Sequence, residues 1–385
     1  QTEARKPVPL TVTAVLLFAM IGFSGAEIQG KPKQVSKWQW EGVPRIVALG
    51  DVHGAYATFR SILLETKLVD SNLNWIGGED HLVLCGDLID RGPHDRAVLD
   101  LLIDLEEQAR KNGGRVHAVL GNHDVMNLVR DFRYVSEQSY ADFAKDESPK
   151  ERERAWSQFE KRYSEDKIGE QDLQQAFEER YPPGFFSRIK AFGLEGKYGS
   201  WLIERPAVVK VNGVVFVHGG LTPEVAQRGI EGINRDLSRS VRNFLDASEA
   251  ISRIITLPPR FSDYHSTARW LEEKSLAEGQ SSVPKEMLSA ARGLLAEMDD
   301  LPFSSNGPLW YRGNSLENER AERERVAMVL KLLDARAMMV GHTITQQMMP
   351  TTRFNRTVIR GDVGMAYGGG AYAVLFEGDS VKGFG

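Results

Sequence analysis

The sequence predicts an α/β protein, a layered fold of strands alternating with helices. Three observations carry this. Short apolar runs at 45–49, 81–85 and 116–120 have the length and β-branched character of buried strands. Apolar residues at helical spacing separate them, over 56–66 and again over 97–111, where Val98, Leu101, Leu102 and Leu105 form a stripe that Gly113-Gly114 ends. Each strand also runs into a glycine and then into Asp, His or Asn. Strand, helix, strand, helix, strand is the pattern of a βαβ-type layered domain, in which ligands lie beyond the carboxyl ends of the strands.

A chain of 385 residues suits one large α/β domain with insertions, or two smaller ones. We assign the domain to residues 43–385. The net charge of −5 gives no basic face, so no nucleic-acid partner is expected. Cys85 is the single cysteine, which excludes an intramolecular disulfide and a cysteine-based zinc site. Within Leu82-Val83-Leu84-Cys85 it reads as a small buried hydrophobe.

Residues 1–26 combine basic Arg5 and Lys6, an apolar run over 12–23, and the small residues Ser24-Gly25-Ala26. This is the layout of a secretory signal peptide or, uncleaved, of an N-terminal anchor; the run is shorter than the about 20 residues a membrane span needs. The protein is therefore expected to be exported, periplasmic or secreted, if the segment is cleaved, and membrane-anchored if it is not. No other membrane association is expected. Residues 27–42 read as a polar lead-in whose Trp38 and Trp40 pack on the domain edge.

Residues 136–181 are dense in Glu, Lys, Arg and Gln, with sparse aromatics (Trp156, Phe159, Tyr163, Phe177), and predict a charged helical insertion with a solvated outer face that rims the site. Two apolar runs around Asn212-Gly213 predict a hairpin with a type I′ turn, delivering His218-Gly219-Gly220. Residues 223–306 read as mainly helical, broken at Pro258-Pro259. An aromatic loop at 307–313 carries Arg312. A helix over 317–334, with Val326, Val329, Leu330 and Leu333 on one stripe, precedes a strand at 337–340 that ends in Gly341-His342-Thr343. Two more strands, 357–360 and 371–376, flank a Gly-rich turn.

The strand-end groups are Asp51, His53, Asp87, Asn122, His218 and His342. Hard oxygens with imidazole nitrogens suit Mn, Fe or Zn more than Ca. Six such side chains are too many for one catalytic metal with open positions. They suit two metals sharing a carboxylate, a clamp for in-line phosphoryl displacement by a hydroxide held between them. Four of the eight histidines (His53, His123, His218, His342) fall in Gly-flanked strand-end motifs; His81, His94, His117 and His265 do not and read as structural. Arg91 and Arg312 offer guanidinium forks that match phosphate oxygens.

The ordered motifs Gly50-Asp-x-His-Gly54, Gly86-Asp-x-x-Asp-Arg-Gly92, Gly121-Asn-His-Asp124, His218-Gly-Gly220 and Gly341-His-Thr343 resemble the phosphoprotein phosphatase branch of the calcineurin-like metallophosphoesterases. Asp124 stands where the eukaryotic Ser/Thr phosphatases have Glu, and Gly361-Asp-Val-Gly-Met365 replaces their Ser-Ala-Pro-Asn-Tyr tail. With Gly307-Pro-Leu-Trp-Tyr-Arg-Gly313, the chain looks most like the Shewanella-like protein phosphatases, a bacterial-type subgroup. The resemblance implies a four-layer α/β/β/α sandwich. It implies Asp51, His53 and Asp87 on a first metal and Asp87, Asn122, His218 and His342 on a second. His123 would be the general acid, oriented by Asp90, while Arg91 and Arg312 hold the phosphate. The implied activity is hydrolysis of a phosphorylated protein or small phosphoester without a covalent phosphoenzyme, with phosphotyrosine as plausible as phosphoserine or phosphothreonine. The alternatives are a dinucleoside polyphosphate or other nucleotide phosphohydrolase on the same scaffold, and a catalytically silent scaffold that binds a phosphorylated partner.

Overall fold

The β-branched runs read from the sequence become the central strands of two sheets in the computed structural model, which describes residues 32–164, 169–279 and 282–385. The stretch 1–26, read as signal peptide or anchor, lies outside the described residues. The strands are β1 (Lys33–Ser36), β2 (Gln39–Glu41), β3 (Ile46–Leu49), β4 (His81–Leu84), β5 (Arg115–Ala118), β6 (Val208–Val211), β7 (Val214–Val217), β8 (Ala337–Val340), β9 (Thr351–Arg353), β10 (Val358–Arg360), β11 (Ala373–Glu377) and β12 (Ser380–Phe384). One sheet has the order β1-β2-β6-β7-β8-β10-β9, the other β12-β11-β3-β4-β5.

The sheets pack face to face. Ile46, Ala48, Val83 and Cys85 of the smaller sheet meet Val209, Val211, Phe216, Met339 and Ile359 of the larger. Phe216 and Phe376 pack edge to face, 5.6 Å between centroids. Helices cover the outer faces. Val47, Leu49, Leu82 and Leu84 lie in one apolar cluster with Phe59 and Ile62 of helix Tyr56–Glu65 and Val98 and Leu102 of helix Asp95–Lys111. The cluster also joins Val208, Val215, Val217, Met338 and Val340 to Ile233 and Leu237 of helix Gly229–Ser252 and Val326 and Val329 of helix Glu319–Leu332. The layers are helix, sheet, sheet, helix. Of the strands covered on both faces, β3, β7 and β8 are apolar throughout, which is why their sequences show runs rather than alternation.

Register places the site. β3, β4 and β5 are parallel, pairing Leu49 with Leu84 and Leu84 with Ala118. β7 and β8 are parallel, pairing Val217 with Val340, and β10 continues the set with Arg360 opposite Val340. The loops that carry polar residues therefore leave the same edge of each sheet. The predicted hairpin turn is present, with positive φ at both Asn212 (48°) and Gly213 (71°).

Three expectations change. Within the 27–42 lead-in, β1 and β2 extend the larger sheet, and Trp40 is a core residue packed 4.4 Å from His117 rather than an edge cover. The tail holds β9 and β12 in addition to the two predicted strands; their polar sequences, Thr-Thr-Arg and Ser-Val-Lys-Gly-Phe, are typical of sheet edges and give no apolar run to read. The insertion, helices Glu137–Ala144, Pro149–Tyr163 and Glu170–Arg180, has its own aromatic core: Phe159, Phe177, Tyr181, Phe185 and Phe186 are buried together. No described helix is long and apolar enough to cross a membrane.

His81 and His117 form a buried pair, 2.9 Å between ring nitrogens. Burial, then the charge of Arg115, lowers His81 to about 3; burial and His81 hold His117 well below its usual range. The unfolded chain protonates both near pH 6.5, so it binds more protons than the native state below that pH, and stability falls as pH drops through about 6.5. We expect stability to be lower at pH 5.5 than at pH 7.5 by about 1.4 kcal/mol per imidazole. Urea unfolding of His117→Gln at both pH values should show a shallower slope than wild type.

Candidate active site

Three loops of the smaller sheet and three of the larger meet at the strand edge. Backbone hydrogen bonds stitch them: Val52 and His53 N–H donate to Asp87 O (3.0 and 2.9 Å), and Gly92 N–H donates to His53 O (3.0 Å). His53, Asp87, Asp90, Arg91 and His342 all have positive φ, between 48° and 73°. Such a backbone is disfavoured for residues with a Cβ and costs on the order of 1–3 kcal/mol at each where bulky. Two glycines allow the close approach. A Cβ at Gly121 would collide with the Asp87 carboxylate, and one at Gly341 with that of Asp51.

The centre gathers acceptors. His218 Nδ1–H donates to Cys85 O at 2.7 Å, leaving Nε2 with a lone pair. That nitrogen lies 2.9 Å from Asn122 Oδ1, 3.1 Å from His342 Nδ1 and 3.3 Å from Asp87 Oδ2. His53 Nδ1–H donates to Ile89 O (2.9 Å), leaving Nε2 at 3.5 Å from Asp87 Oδ2 and 3.8 Å from Asp51 Oδ2. The Asn122 amide nitrogen faces Met126 Sδ, so its oxygen faces inward. His342 Nε2 is buried without a hydrogen-bond partner. Lone pairs this close repel unless a cation lies among them, and backbone-fixed imidazoles are the usual supports of metal ligands. Among the described residues, two groups of ligand atoms could hold a metal, His53–Asp87–His123 and Asp87–His218–His342, each within 4.8 Å, and Asp87 belongs to both.

Burial sets the charges. It lowers His53 to about 4, against the pull of Asp87, and His342 to about 2, helped by His218. Both imidazoles are neutral at neutral pH, the form that ligates. Burial also pushes Asp87 up, but His218 and His123 outweigh it and hold this carboxyl well below its usual range. Burial, Asp362 and Asp87 raise Asp51 well above its own.

His123 belongs to the first group but has partners of its own. Burial lowers its pKa, but Asp87 and Asp90 outweigh burial and raise it. Its Nδ1–H donates to Asp90 Oδ2 at 2.8 Å. Its Nε2 faces the centre, 4.0 Å from Asp87 Oδ2, and accepts from Arg91 Nη2 at 3.0 Å. Arg91 also donates to the Tyr367 hydroxyl (2.8 Å) and packs against the rings of Tyr134 and Tyr367. Arg312 is half-buried and donates from Nη1 to His342 O (2.6 Å) and Thr343 Oγ1 (3.0 Å). It lines a cleft of about 690 Å³ with Phe303, Trp310 and Leu316.

All ten sequence-predicted residues (Asp51, His53, Asp87, Asp90, Arg91, Asn122, His123, His218, Arg312 and His342) thus come to one strand-end region. The atoms that group around His53 and Asp87 include His123, while Asp51 lies beside them, its carboxylate accepting from His342 N–H at 2.9 Å. Sequence reading missed Asp362. It is buried beside Asp51, shares a hydrogen bond with it, and accepts from Gly364 N–H at 2.9 Å. The signal was present: β10 runs into Gly361-Asp362 as β3 runs toward Gly50-Asp51. Tyr134 and Tyr367 gave no such signal. His94 and His265 lie away from the centre, facing Asp142 and Arg269.

The family model described as calcineurin-like phosphoesterase matches residues 44–345. The chain is 31% identical over 205 residues to Shewanella-like protein phosphatase 1 of Plasmodium berghei, covering 53% of this chain and 46% of that protein. It is 28% identical over 225 residues to Shewanella-like protein phosphatase 2 of Arabidopsis thaliana, covering 55% of each. The chain thus spans about half the length of these curated relatives. A crystal structure of the cold-active protein-tyrosine phosphatase of a psychrophilic Shewanella is similar over 93% of this chain and 81% of that one, with 27% identity and a TM-score of 0.54.

If Asp87 serves both groups, Asp87→Asn should lose metal from both. Metal analysis of purified protein should find less than one equivalent in the variant against two in the parent; retention of two would contradict the shared position.

Proposed function

The chain belongs to the calcineurin-like phosphoesterase family, and from that premise we propose that it is a metal-dependent phosphomonoester hydrolase acting on phosphorylated protein. The observation that carries the proposal is the convergence of Asp87 Oδ2, Asn122 Oδ1 and bare imidazole nitrogens on one buried point. The donor set suits Mn, Fe or Zn. The proposed ligands are Asp51, His53 and Asp87 on one side and Asp87, Asn122, His218 and His342 on the other. When bound, two such cations supply charge neutralisation and an activated water for in-line displacement.

The protein's own groups do the rest. Arg91 and Arg312 flank the centre and bind the phosphoryl oxygens through guanidinium forks. Arg91 must leave His123 Nε2 to do so, which frees that nitrogen to carry a proton. His123 then protonates the leaving oxygen, with Asp90 holding the ring through Nδ1. A cysteine nucleophile is not part of the proposal: Cys85 is buried between the sheets and its thiol is pushed up by burial. Transfer directly to water is proposed instead.

The aromatic rings support phosphotyrosine as the first substrate to test beside phosphoserine and phosphothreonine. The ring of Tyr134 lies 4.9 Å from that of His123, where a departing phenol would stack. The cleft beside Arg312 leaves room for flanking peptide. Export through residues 1–26 belongs to the same proposal, and N-terminal sequencing of the mature protein tests it.

Turnover of phosphopeptides well above that of dinucleoside tetraphosphates is the expected result; the reverse would favour a nucleotide hydrolase, and no turnover by fully loaded protein a silent scaffold. His123→Asn should lower kcat on a phosphoserine peptide by about 10²–10⁴-fold and on p-nitrophenyl phosphate, whose leaving group needs no proton, far less. Equal losses would remove His123 from the acid role. Arg91→Ala should raise KM for both substrates, read from steady-state kinetics.

A further inference from the structure

We propose that Arg188, on the helix Phe185–Phe192 that follows the insertion, is a positioning residue that fixes Asp90 and through it His123. The inference rests on the acid role of His123 given above. Arg188 is fully buried. Its Nη2 donates to Asn127 Oδ1 (2.6 Å) and to Asp95 Oδ2 (2.8 Å), its Nε also reaches Asn127 Oδ1 (3.2 Å), and its Nη1 reaches Ser139 Oγ (3.3 Å).

These contacts grip Asp90 from two sides. A guanidinium has donors only, so Asn127 must present its oxygen to Arg188 and its NH₂ elsewhere. That NH₂ donates to Asp90 Oδ1 (2.8 Å) and to His123 O (3.0 Å). Asp95, the other partner of Arg188, accepts the Asp90 N–H through Oδ1 at 2.9 Å. The Asp90 side chain is fixed through Asn127 and its left-handed backbone through Asp95. Only Oδ2 remains for His123 Nδ1–H.

A purely structural role accounts less well for this arrangement. Burying a guanidinium is unfavourable, and a buried ion pair such as Arg188–Asp95 can often be replaced as a whole by apolar side chains without loss of stability, so the pair by itself is weak evidence of a stabilising role. Only part of the surroundings is apolar: the guanidinium lies 4.5 Å from the Phe192 ring and 5.5 Å from that of Phe143, while its donors meet buried Asp95, Asn127 and Ser139. What an apolar residue lacks is a positive charge 3.6 Å from Asp90 Oδ1, a partner for Asp95 and the ability to set the Asn127 amide. Without Arg188 that amide can turn its oxygen toward Asp90, repelling the carboxylate from the position that holds the ring.

The test compares Arg188→Gln, Arg188→Lys and Asn127→Ala with the parent, each with its metals quantified, on a phosphoserine peptide and on p-nitrophenyl phosphate. Arg188→Gln should lose about tenfold or more in kcat on the peptide and at most about threefold on p-nitrophenyl phosphate, with KM unchanged. Arg188→Lys, which keeps the charge but not the fork, should fall between. Asn127→Ala leaves the Arg188–Asp95 pair in place and should reproduce the selective loss. The hydrogen-bonded Nδ1 proton of His123, visible by NMR, should exchange faster or vanish in both Arg188→Gln and Asn127→Ala. If Arg188→Gln does not fold, Asn127→Ala decides alone. Equal losses on both substrates, or an unchanged Nδ1 proton, would overturn the proposal while His123→Asn stays selective; loss of that selectivity would instead overturn the acid role itself.

Discussion

Convergent lone pairs are the constraint on which the structure depends. Carboxylate and amide oxygens and unprotonated imidazole nitrogens sit within about hydrogen-bond distance of one another, with no proton to share between most of them. Such a centre is favourable only around cations, and it must be held together by everything outside it. The two-sheet layout supplies that hold. Parallel strands end at a common edge, so three loops from each sheet arrive at one place. The packed interior between the sheets, from Ile46 to Phe376, keeps the two edges from separating.

Local conformation is bent to the same end. Left-handed backbone at His53, Asp87, Asp90, Arg91 and His342 bends the loops that follow β3, β4 and β8. Strain of this kind persists where surrounding structure over-determines it. Here the backbone of one loop donates to the carbonyls of the next, and glycines at 121 and 341 clear space for carboxylates. The residues beyond the centre then set tautomers. The carbonyl of Cys85 fixes His218 and that of Ile89 fixes His53, so two main-chain carbonyls of the stretch that follows β4 decide which imidazole nitrogens face the centre.

The insertion takes on a second meaning in this light. Its charged surface reads as a solvated rim, and its helices do carry one. Inside, they build an aromatic core against Phe185 and Phe186, and Arg188 reaches from the next helix to the Asp90 network. A peripheral element is thereby connected to the reactive centre through the interior rather than across the mouth.

Much was legible in the sequence because it is local. Strand runs, the Asn212-Gly213 turn and the Gly-flanked Asp, His and Asn motifs each declare themselves within a few residues. Their recurrence implied a shared centre, and Asp51, His53, Asp87, Asn122, His218 and His342 do lie together. Edge strands β1, β9 and β12 were not legible, since an edge needs no apolar run. Asp362 repeated the strand–Gly–Asp signal but sits in a Gly-rich tail that reads as a turn. Arg188, Asn127 and Asp95 had no local signature at all, because their meaning lies in burial and in partners distant along the chain. The sequence by itself determined which chemical groups end the strands; only the tertiary structure decided which of them gather within 4.8 Å of one another, which nitrogen of each ring faces that centre, and which buried guanidinium lies against the Asn127 amide beside Asp90. Those depend on contacts between segments tens to hundreds of residues apart, and no local pattern encodes a distance across the fold.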